Sequence, residues 1–191
     1  MADINEKLEI IYDLLVDNFP TLEIELNELI ANPDKVKDTN KFASLLSNLK
    51  HPAFVSPLLL KISFSEQGDP WLTDFLYAAI NLLEESSVND KFDIPENLID
   101  KLEVWILDHK GEISWKSANL LKFYESEKAE AIQLKKLEGR DDFFLTYAEC
   151  ILGLLHYNKD KHWELVKQIS SDKTRDKKLR EFADDVIKNY H

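Results

Sequence analysis

The sequence predicts an all-α fold of antiparallel helical hairpins, and three observations carry that expectation. Apolar residues recur at intervals of three and four along almost the whole chain, the spacing that puts them on one stripe of a helix. Turn formers are sparse, with 4 Gly and 6 Pro, and most of them fall between the apolar stripes. No run alternates apolar and polar residues in the manner of a strand. A chain of 191 residues, 44% of them apolar, is long enough to bury one sizeable core, so a single domain over 1–191 is expected.

Ile4, Leu8, Ile11 and Leu15 mark a first helix, which Pro20 closes. Thr21 is then placed to cap a second helix with Leu22, Leu26, Leu29 and Ile30 on its apolar face, and Asn32-Pro33-Asp34 ends it. Thr39 is the expected cap of a third helix, carrying Phe42, Leu45, Leu46 and Leu49. His51-Pro52 opens a fourth, with Val55, Leu58, Leu59 and Ile62; Pro57 inside it predicts either a kink or a start near that residue. The clearest loop is Ser65-Glu66-Gln67-Gly68-Asp69-Pro70, where Asp69 suits an N-cap and Pro70 a first helical residue. The helix that follows bears Trp71, Leu72, Phe75, Leu76, Ala79, Ile80 and Leu83. After a loop over 86–92, Asp93-Ile94-Pro95-Glu96 begins a helix through Leu98, Leu102, Trp105 and Ile106 that stops near Gly111. Helices are then expected over about 114–124, 127–137, 141–157, 161–170 and 172–190.

A small or polar residue followed by two leucines occurs at Ser44-Leu45-Leu46, Asn81-Leu82-Leu83, Asn119-Leu120-Leu121 and Gly153-Leu154-Leu155. The intervals are 37, 38 and 34 residues. That period resembles the HEAT and armadillo helical-hairpin repeats, and the resemblance implies an α-α superhelix. An irregular helical bundle is the alternative. The tetratricopeptide signature is not legible.

Composition excludes several function classes. With 36 acids against 24 bases, a net charge of −12, the chain lacks the Lys and Arg a nucleic-acid binder needs. The longest apolar runs are about five residues, so no membrane span is expected. Met1-Ala2-Asp3-Ile4-Asn5 has no basic region before an apolar run, and the single cysteine fits a reducing compartment; a cytoplasmic location is the expectation. The nucleotide-binding glycine loops, the serine-hydrolase elbow and the zinc and calcium signatures are all missing, so no cofactor, metal or catalytic residue is expected. Cys150, six residues before His156 and twelve before His162, lies in an apolar stretch and reads as a structural core residue. Glu149 and His156 share a helical face and read as a surface ion pair. Trp105 and Trp163 read as core, while Trp71 and Trp115 stand at helix starts beside acids.

The acidity is uneven. Residues 1–112 hold 22 acids and 9 bases, a net of −13, whereas 113–191 hold 14 acids and 15 bases. Solubility alone accounts for such a surface; complementarity to a basic protein is the sharper reading. Acid density beside aromatics selects Asp69, Trp71, Asp74, Tyr77, Glu84, Glu85, Asp108, Glu112 and Trp115 as the expected partner-binding residues. In composition and repeat style the chain is similar to bacterial toxin-immunity proteins. That resemblance implies a non-catalytic inhibitor whose acidic surface covers a basic, nuclease-type toxin domain. The alternatives are a HEAT-like adaptor that holds a peptide or partner subunit in a groove lined with Asn and aromatic side chains, and, third, an enzyme.

Overall fold

The computed structural model describes residues 4–85, 92 and 94–189, and every regular element among them is helical. Helix α1 spans Ile4–Tyr12 and widens into a π-helical turn, Asp13–Asp17, closed by Asn18, whose amide nitrogen donates to the Asp13 carboxylate at 2.8 Å. Then follow α2 (Phe19–Ala31), α3 (Thr39–Leu49), α4 (Val55–Ser63), α5 (Leu72–Glu85), α6 (Glu96–Leu107), α7 (Glu112–Leu121), α8 (Glu127–Glu138), α9 (Phe144–Ser171) and α10 (Lys177–Asn189).

Successive helices alternate between two layers. In one, α3 packs on α5, α5 on α7 and α7 on α9; in the other, α2 packs on α4, α4 on α6 and α6 on α8. The layers meet where α4 touches α5, α6 touches α7 and α8 touches α9, and α10 closes the far end against α9. Many long-range hydrogen bonds accordingly join residues 30 to 38 apart in sequence. The four repeated tripeptides fall on α3, α5, α7 and α9, the successive members of one layer. A single core of buried apolar side chains runs between the layers from Leu26 to Val186.

The helix starts differ from expectation where a stronger competitor stands beside the expected cap. Asp38, not Thr39, caps α3: its carboxylate accepts from the Lys41 amide at 3.0 Å, while the Thr39 hydroxyl donates across the layer to Asp74 at 2.6 Å. Thr21 lies inside α2, because Pro20 is tolerated in the first turn, where its missing N–H has no partner to lose. Pro57 is the third residue of α4 for the same reason and produces no break. Asp69 accepts from the Glu66 amide at 2.8 Å and so ties its own loop, and α5 begins at Leu72 rather than Pro70. Asp93 and most of the expected 86–92 loop lie outside the described residues. The two helices expected over 141–157 and 161–170 are present within α9, parted at Asn158, whose φ of −157° and ψ of 92° are non-helical and whose side chain accepts from the Lys161 amide at 3.0 Å. Gly111 precedes α7 with φ +73°, a backbone that side chains strain to adopt, and its amide donates to Asp142 at 2.9 Å.

Candidate functional site

The exposed face of the α3–α5–α7–α9 layer gathers most of the sequence-selected residues. On α5, Asp74 accepts from Thr39 and from Asn40 of α3, the latter at 3.2 Å. Asn81 donates to Ser47 at 3.4 Å, and Glu85 pairs with Lys50 at 2.7 Å, so α3 and α5 are joined along their length. Between them runs a polar groove of about 230 Å³ that includes Ser44, Asn48, Tyr77, Asn81 and Glu84.

The same face continues onto α7. Lys116 donates to the Thr73 carbonyl at 3.0 Å, pairs with Glu112 at 2.6 Å and lies 5.6 Å from the centre of the Tyr77 ring. Lys122 pairs with Glu84 at 2.7 Å and lies 3.8 Å from Glu149 of α9. Lys116 is buried and Lys122 largely so, and long aliphatic stems let each reach its acids from beneath. Burial pushes the Glu149 carboxyl above its ordinary range; Lys122 and the Trp115 indole N–H oppose that shift, and Glu84 adds to it. The Trp115 indole N–H is directed at the Glu149 carboxylate and Lys122 stands beside Glu149 Oε2, whereas Asn119 Oδ1 is shielded from solvent and lacks a hydrogen-bond partner.

The structure thus brings together Asp74, Tyr77, Glu84, Glu85, Glu112 and Trp115 on two adjacent helices. The other three lie apart. Trp71 is buried against Phe75 under the Lys61 ammonium, which sits 4.8 Å from its ring centre. Asp69 is taken up by its loop, and Asp108 borders a different cleft with Lys136 and Asp141. Of the acids on the face, Glu84, Glu85 and Glu112 are already neutralised by lysines, so the surface is mixed rather than acidic.

Sequence reading passed over Lys116 and Lys122, took Asn81 and Asn119 only as repeat positions, and paired Glu149 with His156. The 38-residue interval between the two Asn-Leu-Leu tripeptides carried the signal for Asn81 and Asn119, since equal repeat positions share a face. Glu149 faces Lys122 and not His156, which instead lies 3.5 Å from Glu125. Cys150 is buried in the core, its thiol pushed up to about 12 by desolvation, and His162 is buried against Glu130 at 2.6 Å. Trp105 is buried, and Trp163 is half-buried with the Lys159 ammonium 5.3 Å from its ring.

Among the described residues no three His, Cys, Asp or Glu side chains converge as metal ligands, and no helix is long and apolar enough to cross a membrane. No protein-family model, curated protein or solved structure matches the chain.

Proposed function

We propose that this chain is a non-catalytic protein-binding module, a HEAT-like stack of helical hairpins that holds an extended segment of a partner across α3, α5, α7 and α9. The observation that supports it is the row of amides and aromatics along that face, Asn48, Tyr77, Asn81, Trp115 and Asn119. Side-chain amides each carry donors and an acceptor, the groups that a peptide backbone pairs with. The test is affinity capture from the source lysate with the wild type and with Asn81→Ala and Asn119→Ala together. A partner captured by the wild type and lost from the double variant supports the groove. Equal capture by both removes it.

A second reading, an immunity protein that covers a basic nuclease-type toxin in the cytoplasm, draws on the net charge of −13 over 1–112. It predicts steep loss of binding with salt and little effect of the two asparagines, so the same capture at two salt concentrations separates the readings. Both dispense with cofactor and metal.

A further inference from the structure

The layer formed by α3, α5, α7 and α9 is unfinished at its N-terminal edge. The first leucine of each repeated tripeptide reports this: Leu82, Leu120 and Leu154 are 2%, 1% and 1% exposed, whereas Leu45, their counterpart on α3, is 45% exposed. At the opposite end α10 buries Leu179, Ala183 and Val186 and turns Lys177, Glu181 and Asp184 to water, the polar outer face that ends a stack of helical repeats. The N-terminal end has the reverse character. Every leucine, isoleucine, valine and tyrosine from Leu8 to Val16 is between 40% and 61% exposed. Those residues are apolar around the helix rather than along one stripe, and such a helix needs cover on more than one side. Beside them lies an apolar cleft of about 290 Å³, lined among others by Ile11, Leu15, Leu22, Leu45 and Leu49. That is slightly below the volume of a typical small-molecule site and suits a row of side chains.

The geometry points to a docking site for an amphipathic helix of a basic protein, seated over Leu45 and against Ile11 and Leu15, where one more helix of the layer would lie. The repeat supplies the helical form of the occupant, because each equivalent leucine deeper in the stack is covered by helices of this chain. Charge selects its chemistry. Residues 4–34 carry eight acids against one base, Lys7, and Glu9, Asp17, Glu23, Glu25, Glu28 and Asp34 make no ion pair among the described residues. A second copy of the chain would bring the same acids to the seam and be repelled. A bilayer surface, neutral or anionic, offers them no attraction. The site is separate from the α3–α5–α7 groove and does not rest on either reading of function.

The test uses the full chain and a fluorescent amphipathic peptide of Leu and Lys, about 14 residues long so that it can form a helix, with a Leu and Glu peptide of the same pattern as control. Anisotropy should show the Lys peptide bound at least about tenfold more tightly than the Glu peptide. Ile11→Ser with Leu15→Ser, and independently Leu45→Ser on α3, should each weaken it about tenfold, which is about 1.4 kcal/mol, with far-UV circular dichroism unchanged. Glu23→Lys with Glu25→Lys should weaken it and flatten its salt dependence. Equal binding of the two peptides, or binding indifferent to Leu45→Ser, overturns the proposal. So does a dimer in sedimentation that Leu45→Ser abolishes, or flotation of the chain with phosphatidylcholine vesicles.

Discussion

The two halves of the stack solve the core problem differently. Up to α6, the buried polar side chains among the described residues are Ser63 and Ser65, and each hydroxyl donates to a carbonyl of α4. From α7 onward the interior holds Ser114, Lys116, Ser117, Glu130, Gln133, Lys136, Thr146 and His162. The first half therefore keeps its charge outside, where it reaches solvent or a partner, while the second spends much of its charge on itself. Asp142 shows how. Its side chain is fully buried and accepts from Lys136 at 2.6 Å, Ser114 at 2.8 Å, the Gly111 amide at 2.9 Å and the Phe143 amide at 2.6 Å. Lys136 also donates to the Ile106 carbonyl at 2.6 Å, so the cluster ties α6, α7 and α8 to the start of α9. A near-neutral half is thus neutral by internal pairing, and its charge count says little about what its surface attracts.

The sharpest way to break that contrast is to remove Asp142. Asp142→Ala strands the buried Lys136 ammonium, two amides and a hydroxyl, and should cost about 3–5 kcal/mol, as for other broken buried pairs. For a chain of this length that is a fall on the order of 10 °C in the thermal midpoint. Lys136→Met should cost less, because Asp142 keeps three donors. In the first half, Leu72→Ala should cost a similar 2–5 kcal/mol by leaving a cavity, but independently of pH. The Asp142 loss has a pH signature. Its carboxyl is held below the ordinary value of 3.8; burial opposes that shift, and Lys136 with the surrounding N–H and O–H donors outweighs it. A depressed carboxyl contributes its full stability above 3.8 and loses it as pH falls through the folded value. Acid unfolding of the wild type should therefore begin below pH 4, and that component should be missing from Asp142→Ala. Identical acid profiles would show that the network does not supply the acid-sensitive stability.

Next in size is the contact between α8 and α9. Gln133 is buried, its amide finds no hydrogen-bond partner, and it rests directly on Gly153; a Cβ at Gly153 would come within 2.8 Å of the Gln133 amide carbon. Gly153→Ala should cost about 1–3 kcal/mol by overpacking. Gln133→Ala in the same chain should restore most of it, since it removes the atoms the new methyl strikes. A Gly153→Ala loss undiminished in the double variant would mean that the strain lies in the helix backbone instead.

How much of this the sequence could reveal follows from the range of each interaction. The helices were legible because a stripe such as Leu72, Phe75, Leu76 and Ala79 is written in adjacent turns. The caps were less so, since Asp38 and Thr39 both qualify locally and the choice depends on Asp74, 35 residues away. The split at residue 112 was legible as a count but is not an electrostatic boundary. Lys122 reaches back to Glu84, Lys128 to Asp100 and Glu103, and Lys110 forward to Asp141. Lysines of the second half therefore quench the acids of α5 and α6, and the unspent acidity lies farther toward the N-terminus. The stripe Ile4, Leu8, Ile11 and Leu15 marked a helix with an apolar face, but Leu8, Ile11 and Leu15 are exposed, with no helix among the described residues packed over them. A periodicity reports which face wants cover and not whether the chain supplies it.

The smallest expected effect has the opposite sign and sets the candidate groove against the network beside it. Both halves of the contrast so far involve buried groups that stabilise the fold. Glu149 is a largely buried carboxylate beside the groove whose ionisation burial opposes, holding its carboxyl above the ordinary value of 4.5. For a raised carboxyl the penalty is absent below 4.5 and is fully present once pH exceeds the folded value. Glu149→Gln should therefore stabilise the chain modestly at neutral pH, and the gain should vanish as the medium is acidified through 4.5, the reverse of the Asp142 profile. Thermal midpoints of both variants measured across the same pH series make the comparison directly. A neutral Gln that stabilises the fold while weakening capture of the partner would mark Glu149 as a charge kept for binding at the expense of stability. A Gln that destabilises at pH 7 would make Glu149 one more structural member of the second half, held by Lys122 as Asp142 is held by Lys136.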